Sequence, residues 1–364
     1  MNRERLQVWG QVILLILVLY VFLVSIGLMG GAFKLFGKDL AKQLIETTSN
    51  PLIGFFIGIL ATTLMQSSSS TTSIVVGLVA AGGLTIQGAI PVVMGANIGT
   101  SVTNTLVAMG HITRKEEFKR ALAGATVHDF FNVIAVIILL PLEIAFGYLQ
   151  WLSENVATAF AGVGGMKFAS PIKLVVKPAV VLLIDLMDKN GTLALIVALV
   201  LMYMSLKFLV TLARGLVVQR SGRFINQYLF GAAPVAMLFG AVLTVMVQSS
   251  SITTSIIVPL IGAGILTLEQ VFPFTLGANI GTTVTAMLAS LSTGNIAAVT
   301  VAFAHLFFNL SGIGLVYPWP PIRRIPLKMA RGLANLTSKS RVYAIVYVVA
   351  MFYLIPILLI FIWR

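Results

Sequence analysis

The sequence predicts an all-α, polytopic membrane protein made of two inverted-topology repeats, each holding a re-entrant helical hairpin and a broken transmembrane helix. Three observations carry that prediction. The first is composition: 58% of the 364 residues are hydrophobic and 10% are charged, with a mean hydropathy of +1.01. A soluble domain carries about 25% charged residues, so this chain belongs in a bilayer. The second is duplication. Residues 66–106 and 248–288 align without a gap at an offset of 182, with 24 of 41 positions identical. The identities cluster in two polar islands, QSSS…TTSI and GANIGT, set among apolar residues. A repeat constrains architecture before any local signal does, and islands better matched than their surroundings point to a site where the repeats meet. The third is parity. Each copy reads as three crossings plus a hairpin that makes no net crossing, so a linker with no net crossing inserts the second copy upside down.

Residues 8–29 are long enough to span, since a bilayer core takes about 20 apolar residues. No small-residue cleavage region follows them, so they read as a retained helix rather than a signal peptide. Residues 33–49 place apolar residues at helical spacing among Lys34, Lys38 and Lys42, the pattern of a helix lying in the interface. The hairpin over 51–82 has two arms, each too short to span, around a QSSSS tip; irregular backbone at that depth needs protein or a wet cavity around it. Residues 86–109 span but are expected to unwind at GANIGT, where two glycines flank Asn97. A basic loop follows, then a span over 121–141, which closes the first repeat (1–141). Residues 142–190 are the linker, placed on the extracellular or periplasmic side; the apolar run 174–186 within it is too short to span.

The second repeat, 191–318, repeats the order: a span over 191–213, a basic interfacial stretch over 214–228, a hairpin over 231–264, a helix over 269–291 broken at its own GANIGT, and a span over 295–316. Residues 319–364 supply a basic interfacial segment and a last helix, 342–363. The net charge is +13. Fifteen of the 24 Lys and Arg fall on the side of the N-terminus and the 110–120, 214–228 and 323–341 segments, against eight on the other. That side is therefore expected to be cytoplasmic. The same asymmetry accounts for the positive charge without nucleic acid. The chain has no cysteine, which removes disulfides, thiol nucleophiles and Cys-bound zinc.

A hairpin tip at mid-membrane exposes two helix ends. The arm ending at Gln66 leaves carbonyls unpaired and the arm after the serines leaves N–H groups unpaired. Carbonyls suit a hard cation, while N–H groups with Ser hydroxyls suit an oxyanion. Asn97, Thr100, Asn279 and Thr282 add oxygen ligands. All are neutral, so a bound anion needs its charge offset, and sodium ions are the natural means. His128 is matched by His305, but Asp129 is matched by Leu306. A nucleophile duplicated in both halves is not how a serine hydrolase is built, so an enzyme is not expected. Asp129 is an ion- or proton-site candidate because intramembrane carboxylates are costly; the two histidines read as structural.

QSSSSTTSIVVG, GANIGTSVTNT, AGATVHDFFN, QSSSITTSIIVPLIG, GANIGTTVTAML and AHLFFNLSGIGLVYP closely resemble the type II sodium–phosphate cotransporter family. The resemblance covers roughly residues 50–145 and 230–318, and with its short, cysteine-free linker the chain resembles a bacterial member. It implies sodium-coupled symport of inorganic phosphate through a multi-pass protein of the cell membrane, the N-terminus cytoplasmic. Carried over by position, Ser67, Ser68, Ser69, Ser249, Ser250 and Ser251 surround phosphate, and we group Asn97 and Asn279 with them, and Gln66 too, though as the symmetry mate of Gln248 it is open to phosphate or sodium. Gln248, Ser249, Thr100, Thr282 and Thr285 match a sodium site. Asp129 matches the aspartate used for an extra sodium, and Asn132 matches an asparagine of another sodium site. His111 and Arg114 stand where many animal members have a Gln and an Asp. A different small oxyanion, an anion channel, or a structural membrane protein remain as alternatives, and a homodimer is left open.

Overall fold

The computed structural model describes residues 3–36, 46–162, 171–217 and 230–363, and every regular element among them is helical. The first is α1 (Arg3–Leu35). After it come α2 (Pro51–Met65) and α3 (Ser68–Ala81), then α4 (Ile86–Gly99) and α5 (Val102–Met109), then the long α6 (Lys115–Phe146). Next are α7 (Tyr148–Gly162), α8 (Pro171–Leu186) and α9 (Gly191–Val217). The second copy supplies α10 (Ala233–Val247), α11 (Ser250–Gly262), α12 (Leu268–Thr293) and α13 (Ile296–Val316). The chain closes with α14 (Pro320–Lys339), α15 (Val342–Val349), a π turn over Ala350–Leu354 and α16 (Ile355–Trp363).

Five stretches among the described residues are long and apolar enough to cross a membrane: Ile86–Met109, Lys115–Phe146, Leu268–Thr293, Ile296–Val316 and Val342–Trp363. Burial follows the bilayer's logic. Phe361 and Ile362 at the C-terminal end are 71% and 70% exposed, whereas Asn97, Asp129, His128 and His305 are buried. Polar side chains are gathered inside and apolar ones face out, which is the arrangement that lipid as solvent favours.

The short helices follow from local chemistry. Asn50 accepts from the Leu52 N–H and Pro51 holds the first helical position of α2, the usual chemistry of a helix start. At 15 residues and 1.5 Å per residue, α2 reaches about 22 Å, short of a ~30 Å hydrocarbon core. The same holds for α3, α10 and α11. Each copy packs its first arm on the helix carrying GANIGT, α2 on α4 and α10 on α12, while α1 packs along α9. The two copies also exchange elements: α7 packs on α13, and α14 packs on α6.

Several expectations change. Helix α6 runs on to Phe146 rather than stopping at 141, and Glu143 in its last turn accepts from the N–H groups of Leu149 and Gln150 at the start of α7. Helix α8, the short apolar run of the linker, lies along α1: the Tyr20 hydroxyl donates to the Val175 carbonyl, and Gly31 lies against Ile184. Most of the interfacial stretches expected over 33–49 and 214–228 fall outside the described residues; 33–35 and 214–217 extend α1 and α9. The last helix is continuous except for its π turn. Pro356, just beyond, has no N–H to return to the carbonyl one turn back, and the helix locally widens there.

The largest correction concerns the GANIGT helices. Neither unwinds at its glycines. A Cβ on Gly95 would collide with the Phe55 carbonyl, and one on Gly277 with the Met237 carbonyl. These glycines let two backbones touch, as small residues do between membrane helices. The first copy is interrupted only at Thr100–Ser101, between α4 and α5, and the second runs through 269–291 unbroken. The copies differ at the residue concerned. Thr283 bonds its hydroxyl back to the Ile280 carbonyl, whereas its counterpart Ser101 turns toward Asp129, a carboxylate that the second copy lacks.

Candidate functional site

The two Gln–Ser tips are built alike. Gln66 ends α2 at φ 52°, ψ 29°, and Gln248 ends α10 at φ 56°, ψ 26°. The serine after each is extended, at φ −153° and −155°. Ser67 accepts from the Ser70 N–H at 3.1 Å and Ser249 from the Ile252 N–H at 3.4 Å. That leaves the first N–H groups of α3 and α11, at Ser68, Ser69, Ser250 and Ser251, without helical partners. All four of these serines are buried. The tips face each other: the Ser69 hydroxyl lies 3.4 Å from the Gln248 carbonyl.

A hydroxyl of the second GANIGT helix, that of Thr285, reaches the second tip. Gln248 donates to the Val245 carbonyl and accepts from Thr285 at 2.8 Å through Oε1. Thr100 and Thr282 donate back to the Ala96 and Ala278 carbonyls, which leaves each hydroxyl oxygen's lone pairs available to a cation. Gln66 differs from Gln248 in being exposed, and Thr103, the counterpart of Thr285, has no hydrogen-bond partner.

The asparagines do something the sequence did not suggest. Asn97 accepts from His305 Nε2 at 2.9 Å and donates to Asn309 at 2.8 Å. Asn279 accepts from His128 Nε2 and donates to Asn132 at 2.9 Å. Each GANIGT asparagine is thus held by the His and Asn of the other copy. Asn132 also donates to the Asn97 carbonyl at 3.1 Å, tying the two sets together. Both amide ends of Asn97 and of Asn279, grouped above with the phosphate set, are occupied by protein in this conformation. The doubled H…FFN was the signal for these latches.

Asp129 is fully buried and accepts from the Tyr347 hydroxyl at 2.8 Å through Oδ2. Its other oxygen, Oδ1, is buried without a hydrogen-bond partner, as is the Ser101 hydroxyl. Tyr347 was not foreseen because the C-terminal helix stands outside the repeats. Nor was Asn104, which accepts from both Thr254 and Ser255 of α11 at 2.9 Å. His111 and Arg114 both turn to Glu117, at 3.4 and 3.0 Å. Neither stands with Asp129 in the buried cluster.

This arrangement offers neutral donors for an anion and oxygen lone pairs for cations within one buried region. Comparison with known proteins agrees with it. The Na+/Pi-cotransporter family model matches residues 21–170 and 201–316. Sodium-dependent phosphate transport protein 2B of Homo sapiens is 35% identical over 96% of this chain, and that of Bos taurus 37% over 96%, each with 64% of its own length covered. Protein 2A of Ovis aries is 36% identical over 95% of the chain and 66% of its own length. The chain therefore spans about two thirds of the length of these relatives. No solved structure matches it.

Proposed function

Because the chain belongs to the Na+/Pi-cotransporter family, we propose that it is a sodium-coupled symporter that brings inorganic phosphate into the cell across the plasma membrane by alternating access. The meeting of the two Gln–Ser tips carries this reading. Ser68, Ser69, Ser250 and Ser251 supply first-turn N–H groups and hydroxyls from two helix N-termini, the chemistry that holds oxyanions. Gln66, Ser67 and Ser249 border that space. No Lys or Arg belongs to either island, so phosphate there requires bound cations. The Gln248, Ser249, Thr100, Thr282 and Thr285 oxygens are the ligand type that sodium prefers; Asp129 is a candidate for an extra sodium and Asn132 for another, separate one. Coupling follows, since neither charge is stable in a low-dielectric site without the other.

The exchanged packing of α7 and α14, and the reciprocal Asn–His latches, support two inverted repeats that move against each other. In this reading the α2–α3 and α10–α11 pairs are re-entrant, and the N-terminus and the 323–341 segment are cytoplasmic. Asn97 and Asn279 then position the two GANIGT helices, and contact phosphate only if the latches open during transport.

The test is phosphate uptake into proteoliposomes under an imposed sodium gradient, set against an equal potassium gradient. Uptake is expected with sodium alone and is lost in Ser68→Ala and Ser250→Ala. Equal uptake in both salts removes the coupling. Uptake of another oxyanion that phosphate does not compete for changes the substrate.

A further inference from the structure

Helix α14 presents three faces. Leu327, Ala330 and Ala334 are buried where the helix packs on α6. Ile325, Met329 and Leu336 are 44%, 39% and 43% exposed and, at 100° per residue, fall on one line. Arg324, Lys328 and Arg331 occupy the remaining face, all exposed. This basic face borders a groove of about 400 Å³, closed on its other side by Glu269 at the start of α12 and Tyr317 just past α13. Arg331 pairs with Glu269, and Arg323 lies over the Tyr317 ring at 5.2 Å. Arg324 and Lys328 have no ion-pair partner among the described residues. Phe272 and Leu327 add apolar lining. None of the Gln–Ser residues lines it.

We propose that this groove binds the head-group phosphate of an anionic phospholipid of the cytoplasmic leaflet. An exposed apolar stripe beside a basic face is the signature of a helix lying in the interface. A guanidinium and an ammonium left unpaired at a groove match a phosphate, the first by its fork and the second as a point charge. The molecule supplies its own comparison: α7 follows α6 as α14 follows α13, and packs on α13 as α14 packs on α6, yet its sequence holds no Lys or Arg. The basic groove therefore belongs to one end of the protein, and its cytoplasmic placement rests on the topology proposed above.

The experiment is native mass spectrometry of the purified full chain, titrated in neutral detergent with phosphatidylglycerol, phosphatidylcholine or inorganic phosphate. One phosphatidylglycerol is expected to bind in preference to phosphatidylcholine. Arg324→Gln and Lys328→Gln each weaken it roughly fivefold, the size of one basic charge at an anionic surface. Lys339→Gln, the same charge change on the same helix outside the groove, leaves it unchanged. Three outcomes overturn the proposal: no preference for phosphatidylglycerol, an equal loss in Lys339→Gln, or displacement of the lipid by inorganic phosphate, which makes the groove a site for the free ion. Sodium-driven uptake of the same variants in phosphatidylcholine vesicles is measured separately, so a failure here is distinct from a failure of the transport reading.

Discussion

Gln66 and Gln248 hold left-handed backbone conformations that cost an L-residue with a Cβ roughly 1–2 kcal/mol and a glycine almost nothing. Helices commonly end in that conformation with glycine, so a glutamine kept there twice implies that its side chain is used. For Gln248 the use is visible: Oε1 accepts from Thr285 and Nε2 donates to the Val245 carbonyl. Gln248→Gly is expected to leave the fold as stable or about 1 kcal/mol more stable, while sodium-dependent uptake falls about tenfold or more, the loss typical of a hydrogen bond to a charged partner. Thermal unfolding and uptake measured on the same preparation check both halves. A variant that is more stable and transports normally would remove Gln248 from the sodium site. At this scale much of the candidate site was legible, because Gln, Ser and Thr stand out in a chain so apolar. The duties of Asn97 and Asn279 were not: an amide reads identically in sequence whether it faces an ion or a histidine from the other copy.

The elements depend on close backbone contact as much as on hydrophobic matching. In each copy the first hairpin arm and the GANIGT helix approach at glycines, Gly58 against Val92 and Gly95 against Phe55 in one, Gly240 against Phe274 and Gly277 against Met237 in the other. Since the neighbour is backbone rather than a flexible side chain, Gly95→Ala cannot be relieved by a rotamer change. It is expected to cost roughly 1–3 kcal/mol, as overpacking does, and to lower the thermal midpoint. Gly332, in the interior of α14 with nothing within 4 Å of an added Cβ, gives the opposite sign: Gly332→Ala should stabilise by about 0.5–1 kcal/mol. Equal midpoints in the two variants would contradict the packing account. The short helices on either side of each tip were legible because two apolar runs too short to span are joined there by a polar segment. Sequence foresaw an interruption at GANIGT, which the first copy shows at Thr100 and the second does not, and it misplaced the break at the glycines because glycine is compatible with both unwinding and close packing, and only the partner helix decides between them. The asymmetry at Thr100–Ser101 was legible only indirectly, through Asp129 and its unmatched counterpart Leu306.

At the scale of the whole molecule, the two copies are fastened by exchange: the His and Asn of each hold the Asn97 or Asn279 of the other, and α7 and α14 cross over in the same way. The C-terminal helix lies outside this symmetry and brings Tyr347 to Asp129, which is why duplication alone could not reveal it. The inverted arrangement makes a prediction that does not depend on transport. Thr113 follows the GANIGT segment of the first copy, and Thr293 ends the GANIGT helix of the second. If the copies are inverted, these two positions lie on opposite sides of the membrane. The chain has no cysteine, so Thr113→Cys and Thr293→Cys each introduce a single reporter. A membrane-impermeant maleimide applied to intact cells is expected to label Thr293→Cys, and to reach Thr113→Cys only after the membrane is opened. The reverse pattern keeps the inversion but moves the fifteen-charge side outside, against the distribution of Lys and Arg. Labelling of both from one side would make the repeats parallel and overturn the inverted reading, since only an inverted second copy carries its GANIGT helix across in the opposite direction.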